Sequence, residues 1–93
     1  MDIKYTDRFW QDLERTLVYI ICEFYMPMAA RNISNTIFKN ISNLQIFPYM
    51  GKRYRNPYRM LIVKKYIIFY LVKDDYVEIH RIIHHRQSRR NLF

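Results

Sequence analysis

Residues 58–86, YRMLIVKKYIIFYLVKDDYVEIHRIIHHR, read as three consecutive β-strands joined by two tight turns. Tyr58 to Val63 alternates Tyr58, Met60 and Ile62 against Arg59, Leu61 and Val63, the period of a strand with two unlike faces. Lys64-Lys65 marks the first reversal. Tyr66 to Val72 is almost wholly apolar, which suits a strand buried on both faces and central in its sheet. Lys73-Asp74-Asp75 is the second turn, where Asp bonds its own neighbouring backbone. Tyr76 to His84 is the last strand, with Val77, Ile79 and Ile83 on one face and Tyr76, Glu78, His80, Ile82 and His84 on the other. Arg81 interrupts that alternation, so a bulge or an edge position is expected beside it.

The segment leading into these strands, Tyr49 to Pro57, contains the only glycine and ends in Asn-Pro, which is loop chemistry. Lys52 and Arg53 beside Tyr54 could grip phosphate and stack a base, or could simply be a solvated basic loop. Before it, Ile46-Phe47-Pro48 closes a helix that begins at Pro27 or Met28 and runs to Leu44. Ala30, Ile33, Ile37, Ile41 and Leu44 form its apolar stripe at helical spacing. Tyr25-Met26-Pro27 separates it from an earlier helix, because Pro disfavours a helical residue before it and suits a new first turn.

That earlier helix spans Asp7 to Phe24, with Thr6 as N-cap and Asp7 placed where the helix dipole favours a carboxylate. Phe9, Leu13, Leu17, Ile20, Ile21 and Phe24 make its apolar stripe, widened by Trp10, Val18 and Cys22. Gln11, Asp12, Glu14, Arg15 and Tyr19 fall on the opposite face. Asp2 to Thr6 opens the chain as a short strand with Ile3 and Tyr5 on one side. The expected architecture is α+β, one domain over residues 1–93, ordered β-α-α-β-β-β. Its antiparallel sheet carries the helical hairpin on one face.

Ninety-three residues, half of them apolar, support one modest core rich in aromatic side chains. Cys22 has no partner for an internal disulfide and lies in an apolar run, where a buried thiol acts as a small hydrophobe. This fits a reducing compartment. No charged segment followed by an apolar one opens the sequence, and the longest apolar run is far short of a membrane span. The expectation is a soluble cytoplasmic protein without membrane contact. The formal net charge of +8 attracts polyanions or an acidic protein.

Arg59 to Val63, Tyr66 to Tyr70 with Val72, and Val77 to His84 followed by Arg86 together resemble the C-terminal half of the RelE/ParE superfamily of toxins. The preceding strand, two helices and the turn holding Phe47-Pro48 before Gly51 extend the resemblance over essentially the whole chain. It implies the toxin half of a type II toxin–antitoxin pair, with a cognate antitoxin that masks the positive surface. Operator DNA would be reached only through that antitoxin. RelE-like members cut messenger RNA on the ribosome with basic residues, whereas ParE-like members keep the fold and inhibit DNA gyrase.

Cleavage by a 2′-hydroxyl needs a proton acceptor, a proton donor and cations on the phosphate. His84, His85 and Arg86 could supply these types, with Arg59, Arg89 and Arg90 as further cations. The RelE pattern, however, looks for a lysine two residues beyond Arg59 and an arginine in the central strand. Leu61 and Ile67 stand in those places here. Arg86 does match an arginine of that pattern, and Phe93 stands near its terminal tyrosine without the hydroxyl. The ParE reading accommodates the losses. It implies a target-binding surface of Arg81, His84, His85, Arg86, Arg89, Arg90, Leu92 and Phe93, a mix of Arg and aromatic side chains typical of interface hot spots.

No cofactor and no metal are expected. His80 and His84 are four apart, ligand spacing on a helix, but on a strand that is about 13 Å of rise. Tyr5, Tyr66, Tyr70 and Tyr76 are read as core aromatics rather than a stacking platform. Glu78, among so many cations, is expected to be paired and ionised.

Overall fold

The computed structural model describes residues 1–87. Strand β1 (Asp2–Tyr5) is followed by helix α1 (Asp7–Phe24), helix α2 (Pro27–Ser42) and a 3-10 turn over Asn43–Gln45. Strands β2 (Lys52–Arg53), β3 (Arg59–Val63), β4 (Tyr66–Val72) and β5 (Tyr76–His84) complete it. The Thr6 hydroxyl accepts the Phe9 N–H at 3.1 Å, which fixes the start of α1 where the sequence placed it. Tyr25 ends α1 in the left-handed conformation at φ 53°, and Pro27 opens α2.

The five strands lie in the order β1-β5-β4-β3-β2. Three neighbouring pairs are antiparallel, but β1 runs parallel to β5, with Ile3 opposite Val77 and Tyr5 opposite Ile79. The sheet is therefore mixed, a departure from the antiparallel expectation. The cause is the helical hairpin, which carries the chain across the sheet between its first strand and the rest. The basic loop also contributes β2, two residues paired to Arg59 and Met60.

The main core lies between the sheet and the helices. Phe9 and Leu13 of α1, Ile37 and Ile41 of α2, and Leu44 meet Leu61, Val63, Ile68, Tyr70, Val77, Ile79 and Ile82 of the strands. A smaller cluster on the other face joins Ile67, Phe69 and Ile83, with Tyr54 and Met60 packed against it. Strand β4 feeds both clusters, as a central strand buried on both sides must.

The register breaks where the sequence placed a break. Phe69 pairs with Arg81 but Tyr70 pairs with Ile79, so His80 is an extra residue bulged out of β5. The bulge reverses the faces beyond it. Ile82 joins Val77 and Ile79 on the helical side and Ile83 turns to the other, opposite to uninterrupted alternation. Strand β1 stops short of the bulge, and α1 takes over that edge of β5. Thr6 N–H donates to Ile79 O at 3.0 Å, the Thr6 hydroxyl to His80 O at 2.8 Å, and Ile82 N–H to an Asp12 carboxylate oxygen at 3.2 Å.

Asp12 is thus buried rather than on the outer face of α1. Cys22, expected inside, is exposed, and so are Trp10, Val18, Ile21 and Phe24. The reason is the helix face: Phe9, Asp12, Leu13 and Ile20 form the buried side, Val18 and Cys22 lie two residues either side of Ile20 and so point outward, and Trp10, Ile21 and Phe24 lie toward the flank. Among the described residues, no helix is long and apolar enough to cross a membrane.

Candidate functional site

Where the connected end of the helical hairpin, around Phe24 and Met26, meets the β3–β4 turn and the end of β5, a groove of about 1110 Å³ remains. Ile20 of α1, Ile33 and Ile37 of α2, Val63 and Ile82 line its apolar part, and Tyr19, Phe24 and Met26 edge it on the helical side. The opposite wall is cationic: Lys64, Lys65, His84, His85 and Arg86. Lys64 and Lys65 form the two-residue turn between β3 and β4, and Tyr66 pairs with His84, so the register of three strands brings this wall together.

The histidine corner is held by its backbone. His85 N–H donates to Lys65 O at 2.7 Å, His84 N–H to the Gln87 side-chain oxygen at 2.7 Å, and Gln87 N–H returns to His84 O at 2.9 Å. The two imidazole centroids lie 4.5 Å apart, and Tyr66 meets His84 edge-on at 5.5 Å. Arg86 N–H donates to His84 Nδ1 at 3.1 Å. A nitrogen that accepts carries no proton, so the neutral ring keeps its proton on Nε2. Partial burial, then the charges of His85, Arg86 and Lys65, hold the His84 pKa below its ordinary value.

Arg59 is not part of this corner. It sits at the other end of β3, about 13 Å of strand rise from Val63. There it donates to Gly51 O at 2.9 Å and Tyr49 O at 3.2 Å, with its guanidinium over the Tyr49 ring at 4.9 Å. Tyr70, fully buried, completes this second assembly: its hydroxyl takes the Gly51 N–H at 2.9 Å and donates to Pro48 O at 2.9 Å. The four candidate catalytic residues are therefore split, with His84, His85 and Arg86 together and Arg59 apart.

Leu61 is buried under the helices and Ile67 in the small cluster opposite, so neither position offers even a polar side chain. Arg81 is bound to Asp12 through Nε–Oδ2 at 2.6 Å and a second contact at 3.1 Å, and its side chain is 11% exposed. It braces β5 against α1 and is not displayed to a target. Arg89, Arg90, Leu92 and Phe93 lie outside the described residues. Glu78 is paired as expected, its Oε1 lying 2.5 Å from His80 Nε2.

Asp12 and the groove were missed by reading along the chain. Asp12 lies three residues after Phe9 and eight before Ile20, which places it on their stripe; its charge masked that spacing. Among the described residues, no three His, Cys, Asp or Glu side chains group as a metal centre needs.

The fold is shared with chains of solved toxin–antitoxin structures. A chain of the chromosomal ParDE toxin–antitoxin system from P. aeruginosa superposes with a TM-score of 0.79 at 21% identity, over 90% of this chain and 95% of that one. A chain of the RelB–RelE antitoxin–toxin complex from Methanococcus jannaschii gives a TM-score of 0.62 at 18% identity, over 89% and 91%. A comparison with curated protein sequences finds no match. At sequence level, the model for "ParE toxin of type II toxin-antitoxin system, parDE" matches residues 3–89. Nearly every residue described above falls within that match, and the chain belongs to the ParE toxin family of type II toxin–antitoxin systems.

Proposed function

We propose that this ParE-family toxin arrests growth by binding DNA gyrase through the end of β5 and the residues after it: His84, His85, Arg86, Arg89, Arg90, Leu92 and Phe93. The reading places it in the cytoplasm, with its target. Supporting it above all is the separation of Arg59 from the histidine corner and the loss of the cations that RelE-type cleavage uses. Arg59 is spent on the carbonyls of Tyr49 and Gly51, Leu61 and Ile67 are buried hydrocarbon, and His84 Nδ1 is occupied by a backbone N–H. A general base must have a free lone pair in reach of the proton it takes. What remains at the corner is a cationic surface suited to docking.

A cognate antitoxin is the neutralising partner in this reading. Both solved neighbours come from toxin–antitoxin systems. The groove fits a segment with one apolar side and one acidic edge, which would cover the hairpin's inner face and the wall of Lys64, Lys65 and Arg86 at once.

The test is a supercoiling assay with purified gyrase beside a ribosome-dependent messenger cleavage assay. Gyrase inhibition is expected, and Arg86→Glu combined with Arg89→Glu and Arg90→Glu should remove it while the fold persists. Untouched supercoiling together with cut messenger would transfer the function to the ribonuclease reading. In that case His84, His85 and Arg86 become the group to replace with Ala.

A further inference from the structure

Charge of opposite sign is sorted across this sheet. All eight carboxylates fall within residues 2–23 and 74–78, whereas residues 27–65 contain none and hold eight of the sixteen Lys and Arg. The rest of the chain balances eight cations with eight carboxylates, so the whole formal charge of +8 resides in that middle segment. In the order β1-β5-β4-β3-β2, the carboxylates follow β1, β5 and α1, while β3, β2 and α2 make the opposite edge.

The cations on this edge face solvent. Arg31 and Lys39 are exposed on α2, and Lys52, Arg53 and Arg55 are exposed on β2 and the turn after it. Lys64 is exposed on the β3–β4 turn in a left-handed conformation, φ 57°, that Gly or Asn takes with less strain. Two aromatic faces stand among them. Tyr49 is 62% exposed beneath the Arg59 guanidinium, and Phe47 is 63% exposed beside it in a loop fixed by Tyr70.

Eight like charges without one carboxylate repel each other unless a polyanion covers them. An acidic segment can cover Lys64 and Lys65 at the groove, but Lys52, Arg53 and Arg55 lie outside that lining, where the basic groups of a two-signed protein partner would find nothing to pair with. A phosphodiester backbone presents one sign at regular spacing, and exposed aromatic rings among cations add stacking for unpaired bases.

We infer that the carboxylate-free α2–β2–β3 edge binds the phosphodiester backbone of a nucleic acid directly. The contact is the chain's own, in addition to any operator binding by an antitoxin and independent of the gyrase reading. Duplex DNA and single-stranded RNA share the recognised chemistry.

The experiment is fluorescence anisotropy of the full chain, purified free of antitoxin, against labelled duplex DNA and single-stranded RNA of equal length. Binding to at least one is expected, weakening roughly 100-fold between 50 and 200 mM salt, as about four phosphate contacts require. Lys52→Ser with Arg53→Ser and Arg55→Ser should cost at least about tenfold and flatten the salt slope by about three contacts. Lys4→Ser with Arg8→Ser and Lys73→Ser removes the same charge from the balanced half and should stay within about twofold. The two nucleic-acid arms say which polymer is preferred. The inference is overturned by the absence of saturable binding to either at 50 mM salt, or by equal losses in the two variants. It is equally overturned if the edge variant keeps nucleic-acid binding and loses antitoxin capture, which would make the edge a protein contact.

Discussion

Asp12 of α1 holds Arg81 of β5 by both carboxylate oxygens, at 2.6 and 3.1 Å, and the same carboxylate takes the Ile82 N–H at 3.2 Å. The bulge at His80 displaces the strand there, and this one side chain satisfies both the guanidinium and the backbone. Its own side chain is 3% exposed. Asp12→Ala leaves a nearly buried guanidinium without its carboxylate and should destabilise by about 3–5 kcal/mol in urea unfolding. Replacing both partners by hydrocarbon, Asp12→Leu with Arg81→Met, should be milder than either single change.

Gly51 is required for space. A methyl group on it would lie 2.5 Å from Met60 O and 2.6 Å from the Tyr70 hydroxyl. Gly51→Ala should therefore lower stability by about 1–3 kcal/mol, through a backbone that cannot give way. Tyr70→Phe should cost a similar amount, because it orphans the buried Gly51 N–H. Denaturant melts measure both, and faster proteolysis near Phe47 should accompany them.

His84 should titrate below its ordinary pKa of 6.5 when followed by NMR. Replacing Arg86 with Gln removes one of the repelling charges and should move the pKa upward. Because the folded chain resists protonation of this ring, its stabilising effect is present above pH 6.5 and lost as the pH falls through the lowered value. Protonation would also break the acceptance of the Arg86 N–H by Nδ1, so the turn over residues 85–87 should loosen on acidification.

Cys22 should react stoichiometrically with a thiol reagent in the native chain, since it is exposed. Cys22→Ser should leave the melting midpoint nearly unchanged, within about 0.5 kcal/mol. A thiol that reacted only after unfolding would return it to the core.

The helix boundaries, the central strand and the bulge beside Arg81 were legible because each rests on local spacing: Thr6 before Asp7, the apolar run from Tyr66, the lapse in alternation before Ile82. The parallel β1–β5 pairing was not, since Ile3 and Val77 are brought together by topology and no local pattern records it. Asp12 was misplaced because a charge on an apolar stripe signals exposure until its partner, 69 residues away, is known. Cys22 erred the other way. Its place in an apolar run suggested the core, but it stands two residues after buried Ile20 and therefore on the opposite side of α1.

The pairing of Asp2–Tyr5 with Tyr76–Ile79 also governs when the protein can come into being. The first strand has no partner until the last one exists, and at about 5–20 residues per second synthesis of the intervening chain takes roughly 4–15 s. Through that interval the N-terminal strand and the face of α1 that closes the β5 edge must wait. Closure across so great a sequence separation also slows folding relative to a chain of local contacts. The interval is a delay between translation and poison, set by the wiring of the sheet, during which a partner already present could meet the unfinished chain.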